Sequence, residues 1–512
     1  MLVKTFGSAI IGVNATIITV EINMQTGIQF FMVGLPDIAI KESHYRIESA
    51  LNNIGYRIPG KKIIINLSPA DIRKEGTAYD LTIAMGILGA NGQIPADTLG
   101  SYIIMGELSL DGGLQPIKGA LPIAIEARKQ GFKGFILPKQ NSKEAAIVND
   151  LDVYGMENIS QVVDFLLGRS EIKPEQVNTR EEFYSHQGEF EFDFSDVKGQ
   201  ENIKRALEIS AAGGHNCLLI GPPGSGKSML AKRIPTILPP LNLYEALETT
   251  KIHSVAGKMN KNSSLISERP YRNPHHTISA SALLGGGSFP HPGEISLAHN
   301  GVLFLDELPE FNRSVIEVLR QPMEDRFVTI ARARMTVEYP SNFMLIAAMN
   351  PCPCGFYNHP EKQCVCKPGD VLRYLNKISG PLLDRIDIHL EVTPVPFNQL
   401  SETKSSESSY SIRNRVINAR LIQEERFKEM NNIYSNAQLS SKYLTKYCNL
   451  DDSCLALLKK AMNKLSLSAR AYDRIIKVSR TIADLDPSDK IRPEHLAEAI
   501  QYRSLDRENW GF

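Results

Sequence analysis

The 512-residue chain has no run of about 18 consecutive apolar residues, which argues against a membrane-spanning helix and against a membrane partner. Its first residues, MLVKTFGSAIIGVNATIITVEI, alternate apolar and polar positions like a strand. They lack the basic segment, continuous apolar run and cleavage site of an export signal. The expectation is a soluble cytoplasmic protein. Net charge is also missing: 57 Lys+Arg balance 57 Asp+Glu, so no overall field holds a polyanion, and a nucleic-acid contact has to come from a local patch or pore. Seven cysteines are too few for a disulfide scaffold in a chain this long. Four of them crowd between Cys352 and Cys366, which points to thiolate chemistry in a reducing compartment. No repeat of solenoid length is visible.

At about 150 residues per domain, the length predicts roughly three domains. Residues 1–168 mix β-rich runs such as KKIIINLSP with helical stretches such as GALPIAIEARKQGF, an α+β pattern. Residues 169–198 turn charged and polar with little periodicity and read as a connecting linker. Residues 199–398 alternate strand and helix patterns, the signature of an α/β core. A second polar stretch, QLSETKSSESSYS, opens an all-helical segment, 399–512, whose last helix is expected to begin at Pro493.

The α/β segment carries the chemistry. Gly221-Pro222-Pro223-Gly224-Ser225-Gly226-Lys227-Ser228 fits the phosphate-loop pattern and lies between an apolar strand, CLLI, and a helical stretch. Glycines let the backbone curl with its N–H groups inward at a helix N-terminus that favours anions. Lys227 then reaches the β- and γ-phosphates of ATP and Ser228 ligates magnesium. GVLFLDELPEF supplies a buried-type strand ending on Asp306, a magnesium ligand, and Glu307, which orients and deprotonates the attacking water. A third strand, FMLIAAMN, ends on Asn350, able to position the same water by hydrogen bonding. Polar residues at the ends of successive strands are what a doubly wound parallel sheet requires. GPLLDRIDIHLEV places Arg385 on a turn, where it reads either as an arginine finger for a neighbouring subunit or as a surface partner of Asp384 or Asp387. Arg470 and Arg474, spaced i,i+4, offer a cation that closes over the nucleotide from the helical segment.

With these residues in place the chain resembles an AAA+ ATPase of the magnesium-chelatase-like branch, the YifB or competence protein ComM family. The resemblance covers nearly the whole chain. It rests on DVKGQENIKRALEISAAGGHNCLLIGPPGSGKS, RPYRNPHHTISASALLGGGSFPHPGEISLAHNGVLFLDELPEF, MNPCPCG and GPLLDRIDIHLEV. It implies Walker A roles for Lys227 and Ser228, Walker B for Asp306 and Glu307, sensor 1 for Asn350, an arginine finger for Arg385 and sensor 2 for Arg470 rather than Arg474. It also implies a homo-hexameric ring working on branched or single-stranded DNA, as a helicase or branch-migration factor in recombination or transformation.

The 78 positions from Ser228 to Asp306 exceed what one crossover needs, so an insertion of the helix-2 type is expected there, with SALLGGGSFPHPGE as its mobile tip. RFVTIARARMTVEYP reads as a hairpin with Arg332 and Arg334 leaving one face for DNA phosphate. Residues 1–168 resemble the Lon-protease fold, but that family's serine falls on Ala78 or Thr77 and its lysine on Leu121, so the dyad is absent and proteolysis is disfavoured. A chelatase motor and a protein-remodelling ATPase stay open as alternatives. Cys352-Pro-Cys354 and Cys364-Val-Cys366 supply four thiolates that can close a tetrahedral zinc site of structural kind. His275 and His276 are adjacent and point differently, so they receive no role.

Overall fold

β-branched and apolar runs pair into two separate sheets, in a computed structural model that describes residues 2–503 except 186, 187, 189, 260–263, 288, 333, 334, 360, 396–405, 431, 432 and 466. Arg334, expected beside Arg332, lies outside the described residues. The sheets belong to two units: Met1–His186 with Leu243–Ser267, and Gln187–Asn242 with Glu268–Phe512.

The first unit has seven strands in the order Phe30–Val33, Lys62–Ser68, Asn14–Gln25, Leu2–Ile11, Tyr102–Ile104, Gly134–Pro138, Asp152–Met156. Leu2–Ile11 and Asn14–Gln25 form an antiparallel hairpin, and the alternation of the opening sequence puts Ile18, Val20 and Ile22 inside. The helix Asp80–Ala90 is apolar nearly all round, and every one of its residues is buried against these strands. Its Gly86 permits the close approach: a Cβ there would stand 2.0 Å from Ile22 Cδ1.

Two stretches depart from the sequence-based expectation. Residues 243–267 fall inside the expected ATPase core, yet they fold with the first unit. Their helix Leu243–Ala256 packs on Ala120–Lys129, and Gly119 N–H donates to the Ser254 carbonyl at 3.1 Å. Which sheet a helix covers is a non-local choice that its own pattern does not carry. Residues 169–198, expected as a polar linker, contain the helix Thr179–Ser185 and a 3-10 turn at Phe194–Asp196. Phe194 is fully buried, its N–H donates to Ser409 Oγ at 2.8 Å, and Arg233 pairs with Asp196 at 2.8 Å. Phenylalanines within the charged run give it something to bury.

The second unit holds an all-parallel sheet, in the order Tyr271–Arg272, Val302–Leu305, Met344–Met349, Cys217–Ile220, Ile388–Glu391. The three middle strands are buried throughout, which is why they read as continuous apolar runs rather than alternating ones. The last helix begins at Pro493, as its sequence predicts. Helices Ser409–Phe427, Ala469–Leu485 and Pro493–Gln501 send Ile412, Phe427, Ile482 and Leu496 into the same hydrophobic cluster as Cys217, Phe304 and Ile346. The α/β sheet and the helical C-terminus therefore share one core. The expected hairpin exists as Phe327–Arg332 paired with Met335–Pro340.

Candidate functional site

Parallel register decides where the candidate residues fall. Ile220 lies opposite Met349 and Leu305 opposite Ala347, so Gly221, Asp306 and Asn350 each leave the sheet at its carboxyl edge. Gly221 can turn there because it has no side chain; a Cβ would meet the Val392 carbonyl at 2.2 Å. Gly224 and Gly226 adopt φ +79° and +91°, curling the loop into the start of the helix Lys227–Ile237.

Lys227 Nζ donates to the carbonyls of Gly221 at 2.7 Å and Pro222 at 2.9 Å, and to Asn350 Oδ1 at 3.2 Å. One ammonium thus ties the loop to the end of a second strand. Burial pushes its pKa down, and the carboxylates of Asp306 and Glu307 oppose that shift. Ser228 Oγ donates to Asp306 Oδ2 at 2.6 Å, and Asp306 Oδ1 accepts from the Glu307 N–H at 2.9 Å. Glu307 itself sits at φ +53°, a left-handed conformation that costs a non-glycine residue on the order of 1 kcal/mol or more and that collects at functional sites. The hydroxyl of Ser225 is buried in the loop with no hydrogen-bond partner. An anion cradle at a helix N-terminus, an orphaned hydroxyl and a Ser–Asp oxygen pair form a donor set that fits a nucleotide's phosphates and one magnesium ion.

Two residues without an expected role join this cluster. Gln200 Nε2 donates to the Ser225 carbonyl at 2.9 Å and to the Thr393 carbonyl at 3.2 Å, bracing the loop from outside. His276 Nδ1 lies 3.4 Å from Glu307 Oε2 and its ring centre is 4.1 Å from that of His275, tilted by 33°. Adjacency of two histidines spoke only against metal chelation; a neighbour contributed by a distant strand leaves no local signal.

Arg385 and Arg470 are not drawn into the cluster. Arg385 donates to the Pro381 carbonyl at 2.7 Å and pairs with Glu324 at 2.8 Å. It lines a cavity of about 500 Å³ with Glu317, Arg320, Gln321, Glu324 and Asp325. Arg470 is largely exposed and lies 3.5 Å from Asp384. Arg474, one turn on, is half-buried and pairs with Asp387 at 3.0 Å. Burial works against ionisation of Asp387, but Arg474 and His215 hold its carboxyl well below the usual range. In the hairpin, Arg332 Nε donates to the Gly287 carbonyl at 3.2 Å. The four cysteines gather in one place, with their Sγ atoms within 4.8 Å of one another.

In the first unit, Thr77 gives its hydroxyl to Glu107, and Lys74 Nζ binds the carbonyls of Gly34 and Pro69. Leu121 lies at the expected lysine position and donates its N–H to Glu144 at 2.9 Å.

Three family descriptions match: magnesium chelatase, subunit ChlI, over residues 193–400; subunit ChlI of Mg-chelatase over 20–141; and magnesium chelatase, subunit ChlI C-terminal, over 406–503. YifB of Escherichia coli (strain K12) is 45% identical over 502 residues, 98% of this chain and 96% of its own. Competence protein ComM of Haemophilus influenzae is 43% identical over 505 residues, 98% of this chain and 97% of its own. The uncharacterized protein Rv2897c of Mycobacterium tuberculosis is 36% identical over 502 residues, 98% of each. Likeness of this order along the full length, on a parallel sheet with a helical C-terminus, means that the chain belongs to the YifB/ComM family of magnesium-chelatase-like, AAA+-type proteins.

Proposed function

We propose that the protein is an ATP-hydrolysing ring motor that acts on DNA as a helicase or branch-migration factor in recombination or transformation. The observation that carries the hydrolysis reading is the convergence of Lys227, Ser228, Asp306, Glu307 and Asn350 at the carboxyl edge of one parallel sheet. The family is AAA+ ATPase-like and implies the use of ATP and magnesium. Among the described residues no helix is long and apolar enough to cross a membrane, in keeping with a cytoplasmic site of action.

In this reading, residues 221–226 cradle the phosphates through backbone N–H groups and the Ser225 hydroxyl, and Lys227 exchanges its loop carbonyls for the β- and γ-phosphates. Ser228 and Asp306 would hold the magnesium ion, which would neutralise phosphate charge when bound. Glu307 orients the attacking water and takes its proton, and Asn350 fixes that water's position. Arg385, paired with Glu324 in the single chain, serves the γ-phosphate of a neighbouring subunit in a ring taken to be a homo-hexamer. Arg470 closes over the nucleotide from the helical lid. The proposed partition is a Lon-protease-like domain at 1–168, a connecting segment at 169–198, an ATPase core with a helix-2-type insertion at 199–398, of which residues 243–267 fold with the first unit, and a lid at 399–512.

DNA as the substrate is supported by near-full-length likeness to a protein named for competence and by the Phe327–Arg332/Met335–Pro340 hairpin that carries Arg332. Proteolysis has little support, because Ala78 and Leu121 stand at the dyad positions and the neighbouring Thr77 gives its hydroxyl to Glu107. The test is ATP-dependent dissociation of a synthetic four-way DNA junction by the purified protein, with Lys227→Ala and Arg385→Ala beside it. Resolution by the wild type alone is expected. ATP hydrolysis with no binding or movement of branched DNA would contradict the DNA assignment and favour protein remodelling or a chelatase-type motor.

A further inference from the structure

Beyond Asn350 the chain makes a tight turn over residues 352–355. The Gly355 N–H donates to the Cys352 carbonyl at 3.0 Å, closing a tight turn that needs Gly355 at φ +85°. That turn brings the Cys352 and Cys354 thiols to one point, and Cys364 and Cys366 return to it from the far side of the loop. Sγ–Sγ separations are 3.3 Å for Cys352–Cys354, 3.7 Å for Cys352–Cys364 and 3.5 Å for Cys354–Cys364. All four sulfurs lie within 4.8 Å of one another and all four cysteines are free. A disulfide would bring two of them to about 2.05 Å. A zinc ion with Zn–S bonds of about 2.3 Å would set four sulfurs about 3.8 Å apart.

The surroundings favour a metal over plain packing. Cys352 is buried, but the other three are only half-buried, so they are not core fillers. The Cys354 N–H points at Cys366 Sγ at 3.4 Å, the kind of bond that orients a thiolate ligand. His359 is the one imidazole in this loop, and its Nδ1 accepts from the N–H groups of Glu361 at 3.1 Å and Lys362 at 3.0 Å. It caps a turn, leaving the four thiols as the donor set. Soft thiolates select zinc over magnesium, and four of them complete the coordination of one ion.

We propose that Cys352, Cys354, Cys364 and Cys366 bind one structural zinc ion, and that this ion fixes the outer wall of the phosphate loop. The link is contact: a Cβ built on Gly355 would stand 2.5 Å from Pro223 Cδ and 3.2 Å from its Cγ, so the cysteine turn rests on the phosphate loop. The same turn begins two residues after Asn350, which holds Lys227. The second half of this proposal rests on reading residues 221–228 as the nucleotide site; the first half does not.

The experiment uses the full-length protein purified under reducing conditions. Mass spectrometry of metal content should find about one zinc per chain, and Cys364→Ser with Cys366→Ser should lose it. Replacement of zinc by cobalt in the wild type should give tetrahedral thiolate absorption, a readout that does not depend on how a variant folds. Removal of zinc by a chelator should weaken binding of a fluorescent ATP analogue by about tenfold, restored by added zinc. Gly355→Ala should keep the metal and weaken nucleotide binding as well. No zinc and no cobalt spectrum in the wild type overturns the site. Zinc whose removal leaves nucleotide affinity unchanged overturns its coupling to the loop. Because metal content is read without ATP, a protein that holds zinc but binds no ATP would contradict the nucleotide reading and leave the site standing.

Discussion

Both units bury charged and hydroxyl groups beside their sheets, and they use them in opposite ways. In the first unit several are closed on a neighbour: Arg46 Nε on Asp80 at 2.6 Å, Lys74 on two carbonyls, Thr77 on Glu107, Glu144 on the Leu121 N–H and the Ser254 hydroxyl. In the second unit Asp306 and Asn350 are tied to Ser228 and Lys227, but two groups beside them are left open or strained. Ser225 has a buried hydroxyl without a partner, and Glu307 holds a half-exposed carboxylate on a left-handed backbone. Polar groups satisfied within the fold contribute stability, whereas groups held at some cost without partners mark the place where a ligand supplies them. In the proposed reading only the second unit's sheet is built for nucleotide chemistry.

The contrast breaks most visibly at Lys227. Lys227→Ala should lower ATP affinity by about 100-fold or more by calorimetry, since the ammonium is the one cation within the loop. Arg385→Ala comes next: hydrolysis should fall by about 100-fold or more while binding persists. Mixing Arg385→Ala with Glu307→Gln should restore part of the activity, because a shared site draws its arginine and its base from different subunits. No recovery in the mixture would mean that Arg385 acts within its own chain.

In the first unit the effects should be on stability alone. Glu144→Ala leaves the Leu121 N–H and the Ser254 hydroxyl unsatisfied in the interior, at a cost of about 2 kcal/mol, with ATP affinity unchanged. Unfolding that takes the nucleotide site with it would blur the comparison. The smallest effect is one of pH. Burial, with Asp37 nearby, pushes the Glu75 carboxyl up to about 7. The folded state then keeps a proton that the unfolded state gives up, so this stabilising contribution is present below the ordinary carboxylate range and lost as pH rises towards 7. Hydrogen exchange in the helix Ile38–Asn53, whose Asp37 cap bonds the Gly76 N–H at 3.0 Å, should quicken over that interval, and Glu75→Gln should flatten the response.

Much of the second unit was legible because its signals are local. Four apolar residues before a glycine loop, or before Asp306, predict Cys217–Ile220 and Val302–Leu305, and the alternation of residues 326–340 predicts the hairpin. What stayed hidden is contact across the chain. Nothing in the pattern of Leu243–Ala256 says that it covers Ala120–Lys129, and nothing near Gln200 or His276 announces Ser225 or Glu307 as a neighbour. Phe194 was masked by its own surroundings, a buried aromatic inside a run of charges that reads as solvated spacer.

ATP turnover by Glu307→Gln, with Thr77→Ala beside it, tests the contrast between the units most directly. Hydrolysis should fall by about 1,000-fold in Glu307→Gln with ATP still bound, and Thr77→Ala should turn over like the wild type. Wild-type turnover by Glu307→Gln, or its loss in Thr77→Ala, would contradict the assignment of chemistry to the second unit alone.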